Sequence, residues 1–419
     1  MKKIIITSLV AATIALSSSA QTWNQVSVPT SAKLNDIYFA SNSVGYIVGD
    51  SATILKTIDG GETWVKLNAT YEGNSFGVVR LSDVDFVSET IGYLVMDGGT
   101  FGTAKTTDGG LTWTGIPNNN TNQCFPQSVY AFAEDDLMIG GSDCFQGTTV
   151  TQYQDPDWTV KTVNYQTGIT DQFVTQFDFE GNLGVAAVNA DFMLRSIDFG
   201  QTWDTVSVGL SAGSVLTSVM IASNNTVYAG YNEQGAGFGI LFSTDNGVSW
   251  SQDINSATFF YPAYFGLCES NSGKIYFGAQ PSNSAAGLIF ELENGFWNYQ
   301  SVDQPIYALD SYGNDVTFGI GDSGYVVVNQ PLGSLSISQN TVPTSEMVLY
   351  PNPAIDVIHW DCQNCDASRI QIFDNSGRSV YVEVNPTNHS LETSNLPNGM
   401  YTFEILSEER VHTSKFVKQ

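Results

Sequence analysis

Four aspartates recur in one setting: Asp59 in KTIDGGETW, Asp108 in KTTDGGLTW, Asp198 in RSIDFGQTW and Asp245 in FSTDNGVSW. A carboxylate repeated in a fixed frame could act as acid, base or nucleophile in hydrolysis, chemistry that needs two carboxyls in one pocket. Each of these has Ser or Thr two residues before it, Gly two residues after it and Trp five after it (Trp64, Trp113, Trp203 and Trp250). An Asp side chain in such a frame takes backbone N–H groups just ahead of it, and Gly supplies a left-handed turn position. Turn chemistry accounts for every residue of the motif, so these aspartates are expected to fasten turns.

The same tryptophans count a repeat. Seven of the eight fall at 23, 64, 113, 158, 203, 250 and 297. A spacing near 45 residues, with four runs rich in Val, Ile, Tyr, Phe and Thr per unit, marks the blade of a β-propeller. In the first unit, LNDIYFAS, VGYIVGD, TILKTID and TWVKLN read as strands A to D. The last unit has three such runs, and QTWNQVSV near the N-terminus is a lone strand D. Their pairing would close the circle and remove its open edge. The chain is therefore expected to be all-β, with a seven-bladed propeller over residues 21–331, a Ser/Thr-rich linker over 332–345 and a small β-sandwich over 346–419. The Asp frame resembles the Asp-box (BNR) repeats of sialidases and of the related photosystem-assembly-type propellers. A sialidase likeness implies a sialic-acid site with three arginines. Residues 21–331 contain only Arg80 and Arg195 and no His, which disfavours that activity.

In a propeller the C–D and A–B turns share one face, and the B–C turns and D–A loops share the other, where ligands usually bind. Six B–C turns carry an acid: Asp50, Asp97, Asp143, Asp191, Glu233 and Asp322. Asp is a favoured turn residue, and such a rim also suits a cation or a basic ligand, with calcium the ion that Asp50, Asp97, Asp191 and Asp322 would take. The D–A loops add Tyr71, Phe76, Phe125, Phe173, Tyr261 and Tyr264, rings that either pack over strand ends or stack against sugars. Cys124 and Cys144 fall on this face and are expected to form a disulfide, whereas Cys268 reads as a buried inert thiol. Cys362 and Cys365 form a CxxC without the second pair that zinc needs.

The chain carries a net charge of −27, which repels phosphate backbones and argues against a nucleic-acid partner. Residues 1–20 read as a signal peptide, with Lys2, Lys3, an apolar run and SSSA, and no later run is long enough for a membrane helix. The tail resembles the type A sorting domain of the type IX secretion system, through LYPNP at 349–353, IFDNSGR at 372–378, LPNGMY at 396–401 and KFVK at 415–418. That resemblance implies contact with the secretion machinery and a secreted or surface destination. All three histidines (359, 389 and 412) lie in this tail, so the ring can form no Ser-His-Asp, Cys-His or His-metal site. The sequence thus points to a secreted propeller that binds a glycan or a protein without catalysis. The alternative is a carboxylate glycoside hydrolase or lyase acting from the B–C turn face.

Overall fold

The computed structural model describes the chain apart from residues 1–22, 97–101, 117–122, 144–146, 165–171, 234–236, 257–265, 281–285, 294, 314, 331–347, 362–368, 375–378, 385–389 and 407–410. The chain divides into two compact units, residues 1–337 and 338–419. In the first, seven antiparallel sheets follow one another as blades. Their A strands are Leu34–Phe39, Leu81–Phe86, Gln123–Ala133, Val174–Glu180, Val215–Ile221, Leu267–Glu269 and Ile306–Tyr312. Residues from all seven A strands border one central channel, so A is the innermost strand of each blade.

Closure of the ring is visible in the register. Asn24, Gln25 and Val26 pair with Val328, Val327 and Val326, completing the last blade with a strand from the start of the chain. Val26 is buried with Phe318, Ile320 and Trp64, so the closing strand joins a core that spans the last and first blades. Blade two departs from four strands: Thr70–Tyr71 and Asn74–Ser75 add a short hairpin to its outer edge, the first of them parallel to Thr112–Gly115. Trp64, Trp113 and Trp203 are buried in the cores between neighbouring blades, and Trp250 is partly buried there.

In the second unit, Val348–Tyr350, Val357–Asp361 and Ser390–Glu392 form one sheet. Ser379–Val384, Arg369–Asp374, Gly399–Leu406 and Val411–Lys418 form the other. Trp360, Ile370, Phe403 and Phe416 fill the core that the two sheets share, which makes this unit a small sandwich.

Val26 is 2% exposed, so Val26→Asp would bury an unpaired charge in the closing seam. The variant should lose about 3 kcal/mol or more of folding free energy, read from the denaturant midpoint. An unchanged midpoint would mean that the ring does not depend on this strand.

Candidate functional site

The Asp frame folds as turn chemistry requires. Asp59 accepts the Thr63 N–H at 2.9 Å, the Thr63 hydroxyl at 2.5 Å and the Thr57 hydroxyl at 2.7 Å. Thr57 Oγ1 in turn accepts the Gly61 N–H at 2.8 Å. Asp108, Asp198 and Asp245 repeat the same set with Thr112, Thr202 and Ser249. The indole N–H groups of Trp113, Trp203 and Trp250 donate to the carbonyls of Gly110, Gly200 and Gly247. Gly61 has φ of +87°, and a Cβ there would strike the Phe318 ring, so only glycine fits. The hydroxyl and N–H of Ser249 hold Asp245 down to about 2. All four carboxylates are thus spent within their own turns. Gly60, Gly109 and Phe199 also bond the A–B turns, at Ser43, Thr90 and Asn182, which places these turns at the far ends of the A strands.

At the opposite end the A strands begin around a mouth cavity of about 110 Å³. Every blade contributes to its wall: Asn35 and Asp36, Arg80 and Asp83, Gln127, Phe173 and Gln176, Thr217, Leu267, and Tyr307 with Leu309. Asn35 Nδ2 donates to Asp50 at 3.0 Å and to the Leu81 carbonyl at 2.8 Å, while its Oδ1 has no partner. The hydroxyls of Ser82 and Thr217, which line the same cavity, are also unpartnered. Lys33 sits with its ammonium 4.0 Å from the Tyr307 ring centre. Burial pulls the Lys33 pKa down, and Asp322 acts in the other direction.

The sequence-derived candidates are spread around the ring. Asp50 lies at the rim, 4.0 Å from Arg80, and Asp322 accepts the Tyr307 hydroxyl at 2.7 Å. Asp191 stands in the B–C turn of blade four, and Glu233 caps Ser211 at 2.6 Å. Phe173 lines the mouth cavity, and Phe125 is 55% exposed at the start of its A strand. Tyr71 and Phe76 stand elsewhere than expected. Tyr71 pairs in register with Trp113, beside the second Asp-box turn, and its ring lies tilted against that of Phe76, 5.5 Å between centres. Both pack on the core of blades one and two, because the hairpin turns the loop down the outer edge. Asp97, Cys144, Tyr261 and Tyr264, and the side chains of Asp143 and Cys124, lie outside the described residues, and with them the expected disulfide. Cys268 is a buried free thiol at the channel. Among the described residues, no three His, Cys, Asp or Glu side chains converge to hold a metal ion.

Below the mouth lies the central channel, about 400 Å³ in volume, and here the sequence reading missed the main constellation. Asp36, Asp83, Asp85, Asp178 and Asp310 all face it. Each accepts an N–H from the A strand of the next blade: Val84 at 3.0 Å, Val129 at 2.8 Å, Ala131 at 2.7 Å, Ile221 at 2.6 Å and Phe39 at 2.6 Å. Their side chains are half-buried between the inner strands, and burial pushes Asp85, Asp178 and Asp310 up to about 7. Asp36 and Asp83 are hydrogen-bonded to each other, and burial raises both; the charge of Asp83 adds to the rise of Asp36. The signal was present in LSDVDF and QFDFE, where acids occupy alternate positions of strands expected to be innermost.

Residues 15–140 match the family described as Photosynthesis system II assembly factor YCF48, and residues 348–419 match the Secretion system C-terminal sorting domain. The chain carries a YCF48/BNR-type β-propeller followed by a type IX secretion sorting domain. The Photosystem II assembly lipoprotein Ycf48 of Nostoc sp. (strain PCC 7120 / SAG 25.82 / UTEX 2576) is 46% identical over 61 residues. That stretch is 14% of this chain and 18% of the relative, so the chain spans under a fifth of the curated protein it matches. The YCF48-type propeller superposes on a solved YCF48 bound to D1 peptide, with TM-score 0.55 and 20% identity, over 73% of this chain and 96% of that one. YCF48 from Cyanidioschyzon merolae gives 0.52 at 16% identity, over 73% and 98%. The WD40 β-propeller domain of Doa1 gives 0.50 at 12%, over 73% and 96%. These likenesses establish the fold. The sorting domain marks the protein for secretion to the cell surface or beyond, through the type IX machinery.

Asp108→Ala removes four bonds from one Asp-box turn and should cost about 1–2 kcal/mol in a denaturant titration. A loss below about 0.3 kcal/mol would contradict the fastening role.

Proposed function

We propose that this secreted propeller is a binding module without catalytic activity, and that its ligand seats at the mouth of the central channel. The ligand is a segment of another protein or a glycan chain, and the module serves recognition or adhesion outside the cell. The observation that carries this reading is the mouth cavity, which draws side chains from every blade and leaves Asn35 Oδ1 and the Ser82 and Thr217 hydroxyls without partners. Buried polar atoms with no partner are costly, and a ligand carrying N–H or O–H groups would satisfy them. Phe173 supplies an apolar wall, Arg80 a positive charge and Asp83 a carboxyl within one small space. The solved YCF48 bound to D1 peptide supports a polypeptide ligand ahead of a glycan.

A carboxylate glycoside hydrolase or lyase is the competing reading. The bonded Asp36–Asp83 pair gives it one foothold, since a protonated carboxyl beside an ionised one is an acid–base arrangement. Against it, both carboxyls are committed to the backbone of the neighbouring blade.

The test is a peptide array and a glycan array probed with the full chain, each followed for binding and for turnover. Phe173→Ala and Arg80→Met should each weaken the captured ligand at least about tenfold, equivalent to about 1.4 kcal/mol, while Asp108→Ala leaves its affinity unchanged. Turnover abolished by Asp36→Asn would establish the hydrolase or lyase reading instead.

A further inference from the structure

Channel chemistry goes beyond ligand binding. Five aspartates on the inner strands of blades one, two, four and seven face a shared space. Each holds the backbone of the next blade through an N–H at 2.6–3.0 Å. The other titratable groups facing them are Tyr38 of blade one, Tyr130 of blade three, and Cys268 and Glu269 of blade six. Blade five presents only Val219 and Met220. No Lys, Arg or His is among the residues lining the channel; Arg80 stands at the mouth above it. Five aspartates and Glu269 around one channel, without a counter-charge among its lining residues, cannot all ionise cheaply.

We propose that the inner strands form a proton-loaded collar, in which neutral carboxyls clasp adjacent blades and whose ionisation loosens the ring from within. The direction follows from the groups themselves. An aspartate in the unfolded chain titrates near about 4. Burial pushes Asp85, Asp178 and Asp310 up to about 7, against the pull of their backbone N–H partners. The folded ring therefore binds more protons than the unfolded chain between these values. Its extra stability is present at the acid end and is lost as pH rises through about 7. The Asp-box carboxylates run the other way. Asp245 is held at about 2, so its contribution is present above about 4 and fades as pH falls toward 2. The two sets together place the stability maximum in mild acid.

Calorimetry of the full chain from pH 4.5 to 8.5 tests the collar. The melting temperature should drop by roughly 5 °C or more between pH 5 and pH 8. A flat or rising profile would overturn the proposal. Asp310→Asn and Asp85→Asn keep an oxygen for the Phe39 and Ala131 N–H groups but cannot ionise, so each should be more stable than the parent at pH 8 and not at pH 5. Equal loss at both values would overturn it too. Where a variant fails to fold, a carbon-13 carboxyl titration of the parent chain decides. Aspartates titrating near 7 support the collar, and aspartates that all titrate below 5 contradict it.

Discussion

The inner edge of a propeller blade poses one problem on which the rest of this structure depends. An innermost strand has sheet partners on one side only, and its other N–H groups face the central channel. Such groups must find acceptors or the blade pays for burying them. Here the acceptors are side chains of the preceding blade. Asp310 serves Phe39, Asp36 serves Val84, Asp83 and Asp85 serve Val129 and Ala131, and Gln176 and Asp178 serve Val219 and Ile221. The remaining seams use variations. The Tyr130 hydroxyl reaches the Phe179 carbonyl at 3.4 Å, Glu269 takes the Ser223 N–H at 2.6 Å, and Asp315 takes the Ser272 N–H at 2.8 Å. The ring is thus clasped from within by polar bonds and filled between blades by apolar cores.

This arrangement separates two sets of acids that look alike in composition. The Asp-box aspartates sit in outer turns, ringed by hydroxyl and N–H donors that favour their charge. The channel aspartates sit where burial opposes charge. A single acidic chain therefore holds some carboxyls below the usual carboxylate range in its turns and others above it at its axis. The mouth cavity lies at the end of the ring opposite the Asp-box turns, with Arg80 and Asp50 at its rim and Asp36 and Asp83 in its wall.

The blade count was legible in the sequence because one Trp per blade is tied to one turn, and both have a local cause. The closing strand was legible too, since QTWNQVSV carries the Trp of a strand D with no blade of its own. The Asp-box turns could be read because all their partners lie within four residues. The hairpin at Thr70–Ser75 was not legible: it is a few residues long and exists only because the outer edge of blade two accepts it. Tyr71 and Phe76 were assigned to the ligand face for that reason. The channel acids were missed on a different ground. Their partners lie 43 to 271 residues away, so nothing local distinguishes Asp85 or Asp310 from an exposed strand residue. Attention to acids alternating on a strand that must be innermost would have found Asp83, Asp85 and Asp178, but not the lone Asp36 and Asp310.

Native-state hydrogen exchange at the amides of Phe39, Val84, Val129, Ala131 and Ile221 tests the central claim most directly. If the inner clasps hold the ring, these edge amides exchange only with global opening of the propeller and are as protected as amides paired inside the blades. If they exchange at the rates of open strand edges while blade interiors stay protected, the side-chain clasps do not hold the ring together.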